Sequence, residues 1–288
     1  MENILEVNNL TKHFSGFSLN KISFSLPKGY IMGFIGPNGA GKSTTLKLLL
    51  NLLKKDGGEI KIFGLDSVRD QLAIKNRIGF VFDESFYYEN LSIDEIIRVI
   101  SPHYQRWDAQ AFKRWMKTFQ IHTRQKINEM SKGMKLKLSL AIALSHHAEL
   151  LIMDEPTAGL DPIVRRDLLD ILTGLLQDEN MGIFFSTHIV SDLEKIADYI
   201  TLINQGNIIF SENKDQVLEE FKLVKGEKEL LTSAVRAFFI GIRENHFGFE
   251  GLLRNPGLLP PELKEHILVE RPTLEEIMLY TVKGEDHA

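Results

Sequence analysis

Gly36-Pro37-Asn38-Gly39-Ala40-Gly41-Lys42-Ser43-Thr44 is the stretch that decides the fold. It fits the pattern G-x-x-x-x-G-K-[ST]. Glycines let the backbone curl so that successive N–H groups converge on a polyphosphate, where side chains would obstruct. A helix starting at the loop adds partial positive charge from its N-terminus. Lys42 has the reach for β- and γ-phosphates, and the Ser43 hydroxyl suits Mg²⁺. Before the loop, Tyr30-Ile31-Met32-Gly33-Phe34-Ile35 reads as a short buried strand. After it, Thr44 to Leu53 is a run of good helix formers. Strand, glycine loop and helix are the setting the pattern requires, so the sequence predicts a nucleoside triphosphate site.

The rest of the composition narrows the class. A chain of 288 residues suits one large or two modest domains with a substantial core. A formal net charge of −5 offers no overall basic footprint, so no nucleic-acid partner is expected. The absence of cysteine excludes disulfides and thiolate metal sites and fits a reducing compartment. The N-terminal MENILEVNNL lacks a basic-then-apolar targeting pattern. No stretch has the length of apolar sequence a membrane span needs. Any membrane role is therefore expected through a partner.

Along the chain, residues 4–8, 17–26 and 59–63 alternate apolar and polar side chains and read as strands. Lys12-His13-Phe14 reads as a loop between the first two. A second buried strand is expected at Ile78 to Phe82. From Leu91 to about His147 the character turns helical, with a capping box at Ser92 to Glu95 and an amphipathic stretch at Ala109 to Phe119. Strands return at Leu150 to Met153 and Gly182 to Ser186, with a helix at Pro162 to Leu176 between them. This alternation predicts a parallel sheet covered on both faces, with the helices before Leu150 forming an inserted subdomain. Tyr199 to Phe210 reads as a hairpin around Asn204-Gln205-Gly206-Asn207. Residues 211–288 have a looser pattern and end in a strand at His266 to Glu270 and a helix opened by the capping box Thr273 to Glu276.

Leu150-Leu151-Ile152-Met153-Asp154-Glu155 carries two carboxylates to the C-terminal end of a strand, the edge where ligands bind in parallel sheets. Beside a phosphate loop, Asp154 is placed to hold Mg²⁺ and Glu155 to orient or deprotonate an attacking water.

Together with Met130-Ser131-Lys132-Gly133-Met134, the loop and the run LLIMDEPTAGLDP resemble the ATP-binding subunit of an ABC transporter over residues 3–210. The resemblance implies an α/β fold of the P-loop NTPase type, with antiparallel strands beside the parallel sheet and a helical subdomain at about 85–148. Residues 1–210 would form the ATPase domain and 211–288 a small α+β accessory extension. It further implies that Phe14 stacks on adenine, and that Ser131 and Gly133 grip a γ-phosphate bound by a second subunit. A helix N-terminus (Met134 to His147) behind them would supply anion capture. Asp161 would cross to the partner's site and His188 would contact the γ-phosphate.

Two positions depart from the family. Lys132 stands where glycine is usual, and its added charge either helps hold a γ-phosphate or is solvated, the second reading being favoured. Asp83 replaces a glutamine and keeps an oxygen ligand for Mg²⁺. Phe86-Tyr87-Tyr88 either meets the membrane subunit or packs under the helical subdomain. His146-His147 lacks metal-ligand spacing and reads as a helix end. The tail Arg271 to Met278 is similar to the closing helix of bacterial peptide and lantibiotic exporters. The implied assembly is a homodimer, or a heterodimer with a related ATPase subunit, on a transmembrane permease at the cytoplasmic face of the membrane. The alternatives are a soluble ABC-type ATPase acting on ribosomes or DNA, and a nucleotide sensor without turnover. A single cassette without cysteines or sustained heptads argues against the first, and Glu155 and His188 argue against the second.

Overall fold

The computed structural model describes residues 2–82, 87–177, 179–260 and 266–285. The chain begins with β1 (Asn3–Phe14), β2 (Phe17–Pro27), β3 (Ile31–Ile35), α1 (Lys42–Leu49), β4 (Gly57–Ile62), β5 (Leu65–Asp66), α2 (Gln71–Lys75) and β6 (Ile78–Val81). Next come α3 (Ile93–Ile100), α4 (Ala109–Thr118), α5 (Lys132–Ser145), β7 (Leu150–Asp154), α6 (Pro162–Leu175), β8 (Gly182–Thr187), α7 (Val190–Ile196), β9 (Tyr199–Asn204) and β10 (Asn207–Asn213). The remainder is α8 (Lys214–Glu220), β11 (Phe221–Gly226), α9 (Ser233–Arg236), β12 (Gly241–Glu244), β13 (Phe249–Arg254), β14 (Ile267–Glu270) and α10 (Leu274–Glu285).

Six strands form the central sheet in the order β10-β9-β3-β8-β7-β6. All its pairings are parallel except the β9–β10 hairpin at the edge. Strand alternation assigns its two faces. Met32, Phe34 and Phe184 look toward α1 and a four-stranded antiparallel sheet, β2-β1-β4-β5. There Phe24 packs on Phe34 and Phe184, with ring centroids 5.4 and 5.7 Å away. Ile31, Ile35, Met153 and Phe185 look the other way, into a core shared with α5, α6 and α7. Both faces are thus covered, which is why β3 and β8 are buried throughout.

Local chemistry sets the helix ends. The Ser92–Glu95 capping box opens α3, and Asp108 caps α4 by accepting from the Gln110 and Ala111 N–H groups. Helix α5 starts earlier than Met134, because Ser131 Oγ accepts from the Met134 N–H and so makes Lys132 the first helical residue. It ends at Ser145, with His147 at a φ of +56°. Lys12 to Phe14 is no loop: those residues finish β1, with Phe14 opposite Phe17 across a tight hairpin turn. The turn at Gln205-Gly206 has φ of +44° and +76°, suiting a two-residue hairpin.

Beyond β10, four short antiparallel strands run in the order β12-β13-β11-β14. Leu223 and Leu252 of this sheet, with Leu274 and Ile277 of α10, join the same buried cluster as Leu193 of α7. The Leu274 N–H donates to Glu194 Oε1 of α7 at 2.8 Å. The apolar core therefore continues past residue 210. Among the described residues no helix is long and apolar enough to cross a membrane.

Candidate functional site

Strands β3, β8 and β7 are adjacent and parallel, so their C-terminal ends deliver three loops to one edge of the sheet. The first is Gly36 to Thr44. Its path depends on glycine, since a Cβ at Gly36 would lie 2.2 Å from the Ile203 carbonyl oxygen. Gly41, at φ +114°, turns the chain into α1. Pro37, Asn38, Gly39 and Ala40 form the crest, with Asn38 and Gly39 exposed and Ala40 buried. Lys42 is buried, and its Nζ donates to the carbonyls of Gly36 (2.8 Å) and Pro37 (3.2 Å). Ser43 is exposed on the first turn, with Thr44 half-buried beside it.

Strand β7 supplies the acids. Asp154 accepts hydrogen bonds from the hydroxyls of Ser43 and of Ser186, the latter at 3.2 Å. Burial raises its pKa above the usual carboxylate range, the two hydroxyls oppose that rise, and the neighbouring Glu155 charge adds to it. Glu155 sits at φ +47°, a rare conformation for this residue type, with its N–H donating to the Ser186 carbonyl at 2.9 Å. Its carboxylate joins two groups: Oε1 lies 3.5 Å from Lys42 Nζ, and Oε2 lies 2.8 Å from His188 Nδ1. The third loop, after β8, thus brings His188 to the same spot.

These donor sets fit a metal-bound nucleotide. A hydroxyl and a carboxylate in mutual contact are hard oxygen ligands of the kind Mg²⁺ takes, and the glycine loop with its buried ammonium suits polyphosphate.

The aromatic expected on adenine stands at the end of the first hairpin. Phe14 is 43% exposed, with Phe17 stacked on it at 6.4 Å between centroids and Lys12 Nζ 5.5 Å from its ring. Phe17 reaches the phosphate loop, where a Cβ on Gly41 would be 3.0 Å from its ring.

Ser131, Gly133 and Asp161 form a second group. Ser131 and Asp161 spend their side-chain oxygens capping α5 and α6, Asp161 accepting from the Ile163 and Val164 N–H groups. Gly133 is packed so closely on Val164 that a Cβ would stand 2.8 Å from its Cγ1. Lys132 is exposed, with its ammonium beside Gly159 of the Asp161 loop. Asp83 and Phe86 lie outside the described residues. Tyr87 packs inward and pairs with Ser139 Oγ at 3.1 Å, whereas Tyr88 is exposed. His146 does end α5, but it is buried and stacked on Tyr104 at 3.9 Å.

Three participants escaped the sequence reading. Ser186 faces Asp154 in the strand register, and only the polar Ser-Thr-His ending of an apolar strand hinted at it. Phe17 lay in an expected strand with no mark of its own. Arg165 of α6 holds buried Asp192 of α7 at 2.7 Å, linking the Asp161 helix to the helix that follows His188.

A profile described as ABC transporter matches residues 19–158. The chain is 35% identical over 214 residues to the bacitracin transport ATP-binding protein BcrA of Bacillus licheniformis, covering 73% of this chain and 69% of that one. It is also 35% identical to the lantibiotic transport ATP-binding protein SrtF of Streptococcus pyogenes, over 74% of this chain and 92% of that one. A solved ATP binding subunit of an ABC transporter superposes with a TM-score of 0.68 at 26% identity, covering 75% of this chain and 92% of the other. With the phosphate loop, the two acids and the histidine gathered at one sheet edge, these likenesses place the chain in the ABC transporter family as an ATP-binding, ATP-hydrolysing subunit.

Proposed function

We propose that this subunit powers export of a peptide or similar amphipathic cargo through a separate transmembrane permease, working as a twofold-symmetric pair of ATPase subunits. The observation that carries the reading is the convergence of Lys42, Asp154, Glu155 and His188. The named functions of BcrA and SrtF support the cargo class. Ser43 and Asp154 would hold Mg²⁺, which would neutralise phosphate charge when bound. Lys42 would exchange the Gly36 and Pro37 carbonyls for phosphate oxygens. Glu155, steadied by His188, would orient the attacking water and accept its proton. Ser131 and Gly133 of one subunit would close on the γ-phosphate held by the other, with Asp161 crossing between them. ATP would then be the ligand that favours the closed pair, and its hydrolysis would reopen it.

An apolar groove of about 380 Å³ lies between β6 and the inserted helices, lined by Phe80, Phe82, Tyr87, Ile100, Tyr104 and Ile142. It supports docking of the permease there, with the subunit peripheral to the cytoplasmic face of the membrane. Residues 1–210 would act as the ATPase unit and 211–288 as its accessory region.

The test is affinity purification of the tagged protein from detergent-solubilised native membranes. A stoichiometric multi-span protein is expected. Recovery only from the soluble fraction, with ribosomes or DNA-binding proteins, would overturn the transport partner while leaving the ATP site intact.

A further inference from the structure

We propose that Ser186 is a positioning residue for both catalytic-edge acids, holding Asp154 in place to take a metal and fixing the backbone that aims Glu155. The inference rests on the nucleotide–metal reading of the site given above. Ser186 is completely buried near the end of β8 and lies opposite Asp154 in the parallel register of β7 and β8. From there it works in two directions. Its Oγ donates to Asp154 Oδ1 at 3.2 Å, and its carbonyl accepts the Glu155 N–H at 2.9 Å.

The two contacts address separate needs. A carboxylate that is to bind a divalent cation must present an oxygen outward, and rotation about its own bond is the freedom that spoils this. A hydroxyl fixed by the sheet removes that freedom, as an outer partner of a ligand does at other metal sites. Ser43, on the exposed side, is itself a candidate ligand, so its contact with Asp154 lies within the metal's own shell, whereas Ser186 stands outside it. Ser186 has no path to solvent and so keeps its bond when a cation arrives. The carbonyl contact holds Glu155 at its positive φ, which turns the carboxylate toward Lys42 and His188. Side-chain substitution removes the first contact and spares the second, so the two can be separated.

The test uses the full-length chain, saturating ATP and Mn²⁺ as a paramagnetic probe, with bound and free Mn²⁺ counted by electron paramagnetic resonance. Ser186→Ala should weaken Mn²⁺ binding about tenfold, the lower end of the usual loss for an outer-shell partner. Binding of ATP without metal should stay unchanged, and Ser186→Thr, which keeps the hydroxyl, should restore Mn²⁺ affinity. Ser186→Cys, similar in volume and a weak donor, asks the same question if the alanine variant does not fold. Equal Mn²⁺ affinity in the wild type and the hydroxyl-free variant would overturn the assignment. If instead the wild-type chain binds ATP but takes up no Mn²⁺, the metal site itself fails, and this proposal with it.

Discussion

His188 grips Glu155 twice: its backbone N–H and its Nδ1 both meet Glu155 Oε2, at 3.2 and 2.8 Å. The acid is therefore aimed by a residue from a different strand end, while its other oxygen faces Lys42. This arrangement sets the first two predictions.

Glu155→Gln keeps the shape and the contact to the His188 N–H but removes the base. Phosphate release should fall by about 10²- to 10⁴-fold, the usual contribution of a positioned general base. The same variant should accumulate an ATP-bound pair, visible as a shift in size-exclusion chromatography with ATP. An unchanged hydrolysis rate would remove Glu155 from the catalytic role.

His188→Ala deletes one of the two contacts and leaves the backbone one in place. Turnover should drop by about 10²-fold, the scale of a small misplacement of a reacting group. Nucleotide affinity of the separate subunit, read by fluorescence titration, should change little. A variant that loses ATP binding and turnover together would show that His188 shapes the pocket rather than aiming Glu155.

His146 gives the protein an acid-side weakness. Burial pushes its pKa down to about 4 from the usual 6.5, and its buried Nδ1 has no hydrogen-bond partner among the described residues. The folded chain holds this ring neutral, whereas the unfolded chain protonates it below pH 6.5. Stability is therefore fully present above pH 6.5 and declines as pH falls toward 4, by at most about 3 kcal/mol from this ring. Urea unfolding at pH 7.5 and pH 5 measures the loss. His146→Phe, which preserves stacking on Tyr104, should reduce the difference; equal losses in both proteins would clear His146.

Removing residues 214–288 would strip Leu223, Leu252, Leu274 and Ile277 from a core they share with Leu193. The shortened chain should be less soluble and melt at a lower temperature, since it exposes apolar surface that the full chain covers. A truncated protein with the melting point and ATP binding of the whole would make the extension a separately folding unit.

What could be read from the sequence was whatever is encoded within a few residues. The phosphate loop, the Asp154–Glu155 pair and the Ser92–Glu95 capping box are local patterns, and each lies where its pattern pointed. The contacts between distant segments were not legible. Ser186 meets Asp154 only because β7 and β8 pair in one register rather than the next. His146 reads from sequence only as a helix end, because its partner, Tyr104, lies on a segment whose packing no local pattern reveals. Lys12 to Phe14 were misread for a related reason: β1 is prolonged by pairing with β2, and its own alternation stops sooner.

Helix α7 begins just past His188, is fastened at Asp192 to α6 by Arg165, and is fastened at Glu194 to the start of α10. The histidine of the phosphate site, the helix behind Asp161 and the C-terminal tail thus hang on one short rod. The tail is thereby one of the fixed points of the helix that leaves this edge of the sheet.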